Sequence, residues 1–481
     1  MFNIVQHCNV KSDVLDELGS YSTPSWAWFA EEGFTSSLLK CSNMSTPGPK
    51  KLSWKHLKIV LKDKICLGNI IAIANAYIKL GHWLSHFKIS LTIVISKLNK
   101  ASYDSPKSFR PIVLLNTLGK LIEKVISDRL QFHVITNNLI YQSQLGGLKF
   151  KSMTDAGITL TYFIHMGWIK NMLTSTLTFD ISQLFPSLIL KKAGFNLHVH
   201  FFPNYLVNRR THYIWNNFSS HFVDINIRVG QDLALSPILL ALYLAPFLHI
   251  LEKHLKNLNL QVSLLSFIND GLLIPQSKSF ETSNSCLYCS YNVALNLLTK
   301  FSLLVEHSKT KVSHFSRLQG GFSPPPLDLS PLGRPSLSPK DSWCYLGFIF
   351  DRKFLFHNYI DFYTNKAIST VKCMKILSNS TKELNPHQEF LLYKSYAMPI
   401  ALYSFQLWYY NKTPLSYPLR ILNKMQRRAA LWIVGIFKMS PSMGVEAITG
   451  LIPINFIYKR LVVDLNLEYT YFYLTTFFDL S

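Results

Sequence analysis

The sequence predicts an α+β fold with a mainly helical C-terminal region. Three observations predict it. Short β-branched or apolar runs are bounded by turn residues. Longer segments repeat apolar residues every three or four positions. The two kinds alternate irregularly until about residue 362, after which helical periodicity takes over. At 481 residues the chain is long enough for two or three domains or subdomains. A hydrophobic content of 48% with 14% aromatics supplies large cores and excludes global disorder.

Residues 1–50 form a mixed N-terminal extension that ends in the Pro/Gly break "STPGPKK". Helical spacing runs from Leu52 to His86, and the β-branched "ISLTIVISKLNK" (Ile89 to Lys100) reads as a strand closed by a basic turn. After "SFRPIVLLN" comes the amphipathic helix "TLGKLIEKVISDRLQFHVITN". "STLTFDISQLFPSL" is then a strand with one acid, Asp180, near its end. A β-rich stretch, "THYIWNNFSSHFVDINIRVGQ", leads to "LSP", where Ser236 is expected to cap a helix opening with Pro237. Pro246 should kink or restart that helix. "SLLSFINDGLLIP" (Ser263 to Pro275) reads as a tight β-hairpin with Gly271 supplying a positive φ. A helix follows, ending near "TKFSLLVEHSKTKVSHFS". Residues 317–342, rich in Pro, Gly and Ser, read as a linker or exposed loop, and "WCYLGFIFD" as a strand beyond it. From about Phe362 to Leu461 the pattern is helical and basic, and no internal repeat is visible.

Charge narrows the partners. With 49 basic and 27 acidic residues the formal charge is +22, which favours nucleic acid ahead of an anionic membrane surface. The seven cysteines are scattered. Only Cys286 and Cys289 form a C-x-x-C pair, without the second pair a zinc site needs. Reduced thiols, and a start lacking the basic-then-apolar pattern of a secretory signal, point to a nuclear or cytoplasmic protein. The uncharged segment from Leu233 to Leu251 is just long enough to span a bilayer, but its two prolines favour a buried core helix, so no membrane partner is expected.

Two isolated acids carry the chemistry. Asp180 follows an apolar strand and Asp270 tips the hairpin. Carboxylates on adjacent strands can clamp divalent metals for an in-line phosphoryl displacement. Hard oxygen ligands suit Mg²⁺, which takes one or two carboxylates plus substrate phosphates. Upstream, Lys97 and Arg110 are cations able to hold a triphosphate, Arg as a fork and Lys as a point charge.

The segments "SKLNK", "SFRPIVLLNTLGKLIEKVISDRL", "QLGGLKFKSMTDA", "TFDISQLFPSL", "VGQDLALSPILLALYL", "SFINDG", "EHSKTKVSHF" and "WCYLGFIFDRK" occur in this order. Together they resemble the reverse transcriptases of non-LTR (LINE-type) retrotransposons, with fungal elements closest. "LLYKSYAMPIALYSFQLWYY" and "LNKMQRRAALWIVGIFKMSPSMGVEAITGLIPI" are similar to the thumb and post-thumb of the same family. The resemblance implies a right-hand polymerase fold. Residues 51–175 would be fingers and upstream helices, 176–316 palm, 343–361 a primer-grip hairpin, and 362–481 a helical thumb and post-thumb region. It implies RNA-directed DNA polymerase activity with two Mg²⁺ ions, an RNA template, a DNA primer and deoxynucleotide triphosphates. By the same resemblance Asp180 and Asp270 are metal ligands and Phe185 is the aromatic gate against a 2′-hydroxyl. Gln231, Lys97, Arg110 and Lys309 would contact the nucleotide, and Trp343, Tyr345, Leu346 and Gly347 would grip the primer.

The chain departs from the family where turnover is most sensitive. Two adjacent aspartates are expected at the hairpin tip, and here they are Asn269 and Asp270. Loss of the first carboxylate removes a charge from the catalytic set and implies a rate lower by several orders of magnitude, on the scale of about 3–5 kcal/mol. Asp232 and Leu233 stand where the family has a glycine and a small residue. "FPSLILKKAGF" is short for its turn, and "SKLNK" and "PGPKK" lack an expected proline and acid. The chain thus resembles the polymerase portion of a longer reading frame in a degenerate copy. The alternative is a non-enzymatic RNA- or DNA-binding remnant of the same element.

Overall fold

The computed structural model describes residues 28–97, 102–182, 201–216, 218–225, 233–301, 303–317, 324–377, 384–408 and 416–461. The N-terminal part is helical. α1 (Glu31–Leu39) and α2 (Lys64–Leu80) surround the short helix Trp54–Val60. α2 begins where Asp63 accepts from the Cys66 amide and ends at Gly81, whose φ of 62° terminates it in a left-handed cap. β1 (Ile89–Ser96) and β2 (Phe109–Leu115) form an antiparallel hairpin, followed by α3 (Thr117–Thr136) and α4 (Met153–Ile169). A Ser152–Asp155 capping box opens α4.

β3 (Leu173–Ser182) carries Asp180 and is the axis of a five-stranded sheet. β4 (Arg209–Trp215) and β5 (Phe218–Ile225) do not join it. Instead β4 pairs in parallel with β1, giving a separate four-stranded sheet ordered β2-β1-β4-β5. α5 (Ser236–Asn257) then crosses to the hairpin of β6 (Val262–Phe267) and β7 (Asp270–Ser277). α6 (Phe280–Lys300), β8 (Leu304–Val305) and β9 (Lys311–Phe315) complete this unit, with β7 on one side of β3 and β9 on the other. β10 (Ser342–Tyr345) and β11 (Phe348–Asp351) form a second hairpin. Beyond it lie α7 (His357–Leu377), α8 (Ser416–Val434) and α9 (Ser442–Thr449), with shorter helical pieces between.

Three apolar clusters hold these elements. One packs α1 and α2 on α3 and the start of α5. A second lies between β3, β7, α5 and α6. The third joins α4 and the β10–β11 hairpin to the C-terminal helices.

Several local expectations change. Ser236 does not cap α5. Leu235 occupies that position in helical φ/ψ, and Ser236 is already the first helical residue. Pro246 neither breaks nor restarts the helix, which runs unbroken through it with both flanks buried. α5 is long and apolar enough to cross a membrane, yet 72% of its most apolar window is buried within the protein. The positive φ of the β6–β7 turn falls on Ile268 (56°) and not on Gly271. Gly271 is required for space, because a Cβ there would meet the Phe179 ring at 2.3 Å. Within the Pro/Gly/Ser-rich stretch, Leu327 and Leu329 are fully buried and pack into the β3–α6 cluster.

Candidate active site

Asp180 and Asp270 are directly opposite each other in the antiparallel β3–β7 register. The backbone around Asp180 is fixed on both sides. Its carbonyl accepts from the Glu306 amide at 2.9 Å, and the next amide, Ile181, donates to the Asn269 carbonyl at 2.8 Å. The Asp180 side chain is buried, and protein donors meet both of its oxygens. Asn269 Nδ2 donates to Oδ1 at 2.5 Å, and the Lys309 ammonium pairs with Oδ2.

Lys309 arrives from the 3₁₀ turn His307–Lys309, held by its amide donating to the Glu306 carbonyl. The hydrogen bond to Asp180 raises its ammonium above the ordinary lysine value, and the Asp180, Asp270 and Glu306 charges add to this against partial burial. Burial pushes Asp270 up to about 6. The Asp180 carboxylate adds to the rise and Lys309 opposes it.

Ile268, the residue before Asn269, is β-branched and sits in the left-handed region, a conformation that costs about 1–3 kcal/mol and needs its surroundings to impose it. Tyr345 of the second hairpin lies within electrostatic reach of Asp270. Its hydroxyl is buried without a hydrogen-bond partner among the described residues, and burial chiefly pushes its pKa up. Tyr345 stacks on Trp343 at 5.2 Å, and Leu346 and Gly347, at φ 50° and 86°, make the two-residue turn between β10 and β11. Such a turn needs positive φ at both positions, which only glycine adopts freely.

Asp180, Asn269, Asp270 and Lys309 therefore converge, with Tyr345 behind them. Lys97 and Arg110 come together elsewhere. Arg110 pairs with Ile95 across β1–β2, and the Lys97 amide donates to the Ser108 carbonyl one residue beyond that ladder. Phe185 and Gln231 lie outside the described residues. Sequence reasoning placed Asn269 as a missing acid but missed that its amide becomes a donor to Asp180. The adjacency of Asn269 to the hairpin tip was the available signal.

Divalent ions are generally used by the family whose motifs the sequence carries. Two cross-strand carboxylates are the donor set a Mg²⁺ ion completes with substrate phosphates, so Asp180 and Asp270 fit one such ion. The amide of Asn269 supplies no third charge. An ion bound to Asp180 shares its oxygens with, and competes against, Lys309 and Asn269.

Comparison with known proteins covers the part of the chain that holds these residues. The family model "Reverse transcriptase (RNA-dependent DNA polymerase)" matches residues 97–350. The protein named "Probable RNA-directed DNA polymerase from transposon BS" of Drosophila melanogaster is 24% identical over 353 residues, 70% of this chain and 37% of that protein. The one named "Probable RNA-directed DNA polymerase from transposon X-element", from the same fly, is 22% identical over 382 residues, 77% of this chain and 40% of that protein. This chain thus spans about two fifths of the length of these curated relatives. Both agree with the LINE-type resemblance of the motifs and lend none to a fungal affinity. Among solved structures, apo telomerase from Candida tropicalis, truncated of its C-terminal domain, aligns with a TM-score of 0.36 at 12% identity over 55% of this chain and 53% of that one. The family match begins at Lys97, takes in both carboxylate strands and ends within β11, covering more than half of the sequence. On that ground the chain belongs to the reverse transcriptase (RNA-dependent DNA polymerase) family.

Proposed function

We propose that this chain is the RNA-directed DNA polymerase portion of a non-LTR retrotransposon, with turnover impaired in this copy. The observation that carries the reading is the pairing of Asp180 with Asp270 across β3 and β7, inside the span of the family match. In this reading residues 51–175 are fingers, 176–316 palm, 343–361 the primer grip and 362–481 thumb and post-thumb. Asp180 and Asp270 hold divalent ions, Mg²⁺ by preference. When bound, these ions stabilise the charge on the attacking and leaving oxygens of the transferred nucleotide. Lys309, paired with Asp180 and largely exposed, is placed to offer its ammonium to nucleotide phosphates. Lys97 and Arg110 supply cations on the fingers side, and Tyr345 with Trp343 supports the primer-side hairpin. Phe185 and Gln231 are assigned by motif to 2′-hydroxyl rejection and nucleotide contact. RNA, a DNA primer and deoxynucleotide triphosphates are the substrates.

Asn269 is the reason for reduced turnover, since it replaces a charge with an amide that closes on Asp180. Primer extension on an RNA template with Mg²⁺ tests the reading. The unaltered chain should give trace product and Asn269→Asp at least a hundredfold more. Equal and abundant synthesis by both would refute the impairment. A second reading, a nucleic-acid binder without chemistry, is favoured by the same two donors satisfying Asp180. It predicts salt-dependent RNA binding and no synthesis even after Asn269→Asp.

A further inference from the structure

We propose that Gly146 and Ser127, the latter together with Glu123, are positioning residues for the Asp180–Asp270 pair, acting through a continuous backing that seats the Ile268–Asn269 turn. The inference rests on the reading of that pair as the nucleotidyl-transfer site. Every link lies among the described residues.

The first link is direct contact. A Cβ at Gly146 would stand 2.4 Å from the Ile268 nitrogen, 2.5 Å from its Cγ1 and 2.9 Å from the Phe267 carbonyl carbon. Only a residue without a side chain lets the two backbones approach this closely. The approach is pinned by a short parallel bridge, in which the Leu145 amide donates to the Ser266 carbonyl at 2.8 Å and the Ser266 amide to the Ser143 carbonyl at 3.0 Å. A β-branched residue holds a left-handed φ only when its neighbours over-determine it, and this segment is packed directly against Ile268.

The second link runs to α5. Gly147, at φ 78°, lies against Pro237, whose Cβ would be 2.9 Å from an added Cβ. Pro237 is in the first turn of α5, and the chain just before that turn is tied to α3 by two side chains one helical turn apart. Glu123 Oε1 accepts from the Leu235 amide at 3.2 Å, and Ser127 Oγ donates to the Ala234 carbonyl at 2.8 Å. The Tyr205 hydroxyl also donates to Glu123 Oε1, at 2.7 Å, and Arg209 stacks over the Tyr205 ring with its charge close to the carboxylate. A fully buried carboxylate is costly unless it is satisfied in this way. It serves here as an acceptor at the start of α5, where the apolar Leu235 side chain offers none.

The chain of contacts therefore reads Glu123 and Ser127, start of α5, Gly147 and Gly146, Ile268, then Asn269 and Asp270. Loosening any layer lets the turn relax, and the Asp270 carboxylate drifts relative to Asp180. At saturating divalent ion the nucleotide and duplex contacts made elsewhere are untouched, so the loss should fall on kcat and on ion affinity and leave KM alone.

The test uses the full chain carrying Asn269→Asp as parent, with Gly146→Ala and Ser127→Ala added singly. Readouts are kcat, KM for deoxynucleotide, Kd for an RNA–DNA duplex, and Mn²⁺ affinity by electron paramagnetic resonance. Gly146→Ala should lower kcat at least tenfold and weaken Mn²⁺ binding at least tenfold, with KM and duplex Kd within twofold. Ser127→Ala, a mild change that leaves the core packed, should lower both kcat and Mn²⁺ affinity two- to fivefold. It decides the matter if Gly146→Ala does not fold. Variants that keep kcat and Mn²⁺ affinity within twofold of an active parent overturn the positioning role alone. A parent that neither extends primers nor binds Mn²⁺ overturns the reading of the site as well, since nothing is then left to be positioned.

Discussion

The Asn269 side chain donates its amide to Asp180 Oδ1 at 2.5 Å, so the residue that departs from the family pattern closes on the carboxylate opposite Asp270. In the proposed reading, an amide standing where an aspartate is expected does more than delete a charge. It puts a donor where a carboxylate would repel, and with Lys309 it meets both Asp180 oxygens.

Asn269→Asp should reverse that balance in the absence of substrate. A third carboxylate beside Asp180 and Asp270 adds like-charge repulsion, so the thermal midpoint without divalent ions should fall by a few degrees, for a cost on the order of 1–2 kcal/mol. Millimolar Mg²⁺ should restore it while moving the unaltered chain by about 1 °C or less. Differential scanning calorimetry with and without Mg²⁺ checks this, and equal shifts for the two proteins would contradict it.

Lys309→Met should free one Asp180 oxygen. The lysine side chain is 65% exposed, so its ion pair contributes little to folding, within about 1 kcal/mol. Mn²⁺ alone should bind several-fold more tightly, because no ammonium competes for the carboxylate, whereas nucleotide triphosphate should bind more weakly. Titration calorimetry with each ligand separates the two effects. Weaker Mn²⁺ binding would show that Lys309 does not compete.

Gly271→Ala should destabilise the hairpin from inside the sheet. The added methyl meets the buried Phe179 ring, and overpacking of this kind costs about 1–3 kcal/mol. Urea unfolding should show a lower midpoint with an unchanged slope. Pairing it with Phe179→Leu, which makes room, should recover part of the loss.

Stability should fall with acid through His314. This imidazole is buried against Ser175, with Oγ to Nδ1 at 2.6 Å, and burial followed by the nearby Arg352 charge lowers it to about 4 from 6.5. The folded state holds it neutral while the unfolded chain protonates near 6.5. The contribution is thus present in full above about pH 6.5 and is lost as the pH falls toward 4, up to about 3 kcal/mol. Denaturation midpoints at pH 7 and 4.5 should differ less in His314→Gln than in the unaltered chain. An identical acid response would rule His314 out as its source.

The hairpin and its acid were legible in the sequence because alternation, a turn-forming Asn-Asp-Gly and the scarcity of acids all point to one place. The turn geometry was not. Sequence assigns a positive φ to glycine on local grounds, but the contact with Gly146 moves it to Ile268. Ser236 looked like a cap for the same local reason, while the actual acceptor for the start of α5 is Glu123, more than a hundred residues earlier. Its signal was present in part, as a charge within the apolar face that Ile122, Ile126 and Leu130 place toward the core. The pairing of β4 with β1 could not be read at all, since β propensity says nothing about which distant strand is the neighbour.

That pairing also sets an order of assembly. β1 and β2 can close as a local hairpin early in synthesis, but Ile89 meets Arg210 only after the intervening chain, β3 included, has emerged from the ribosome. Until then β1 presents a bare parallel-pairing edge rich in β-branched residues, the kind of surface that recruits other nascent chains. The slow step in making this protein should therefore be the closure of the β1–β4 sheet, and the Asp180 strand is threaded inside the loop that must wait for it.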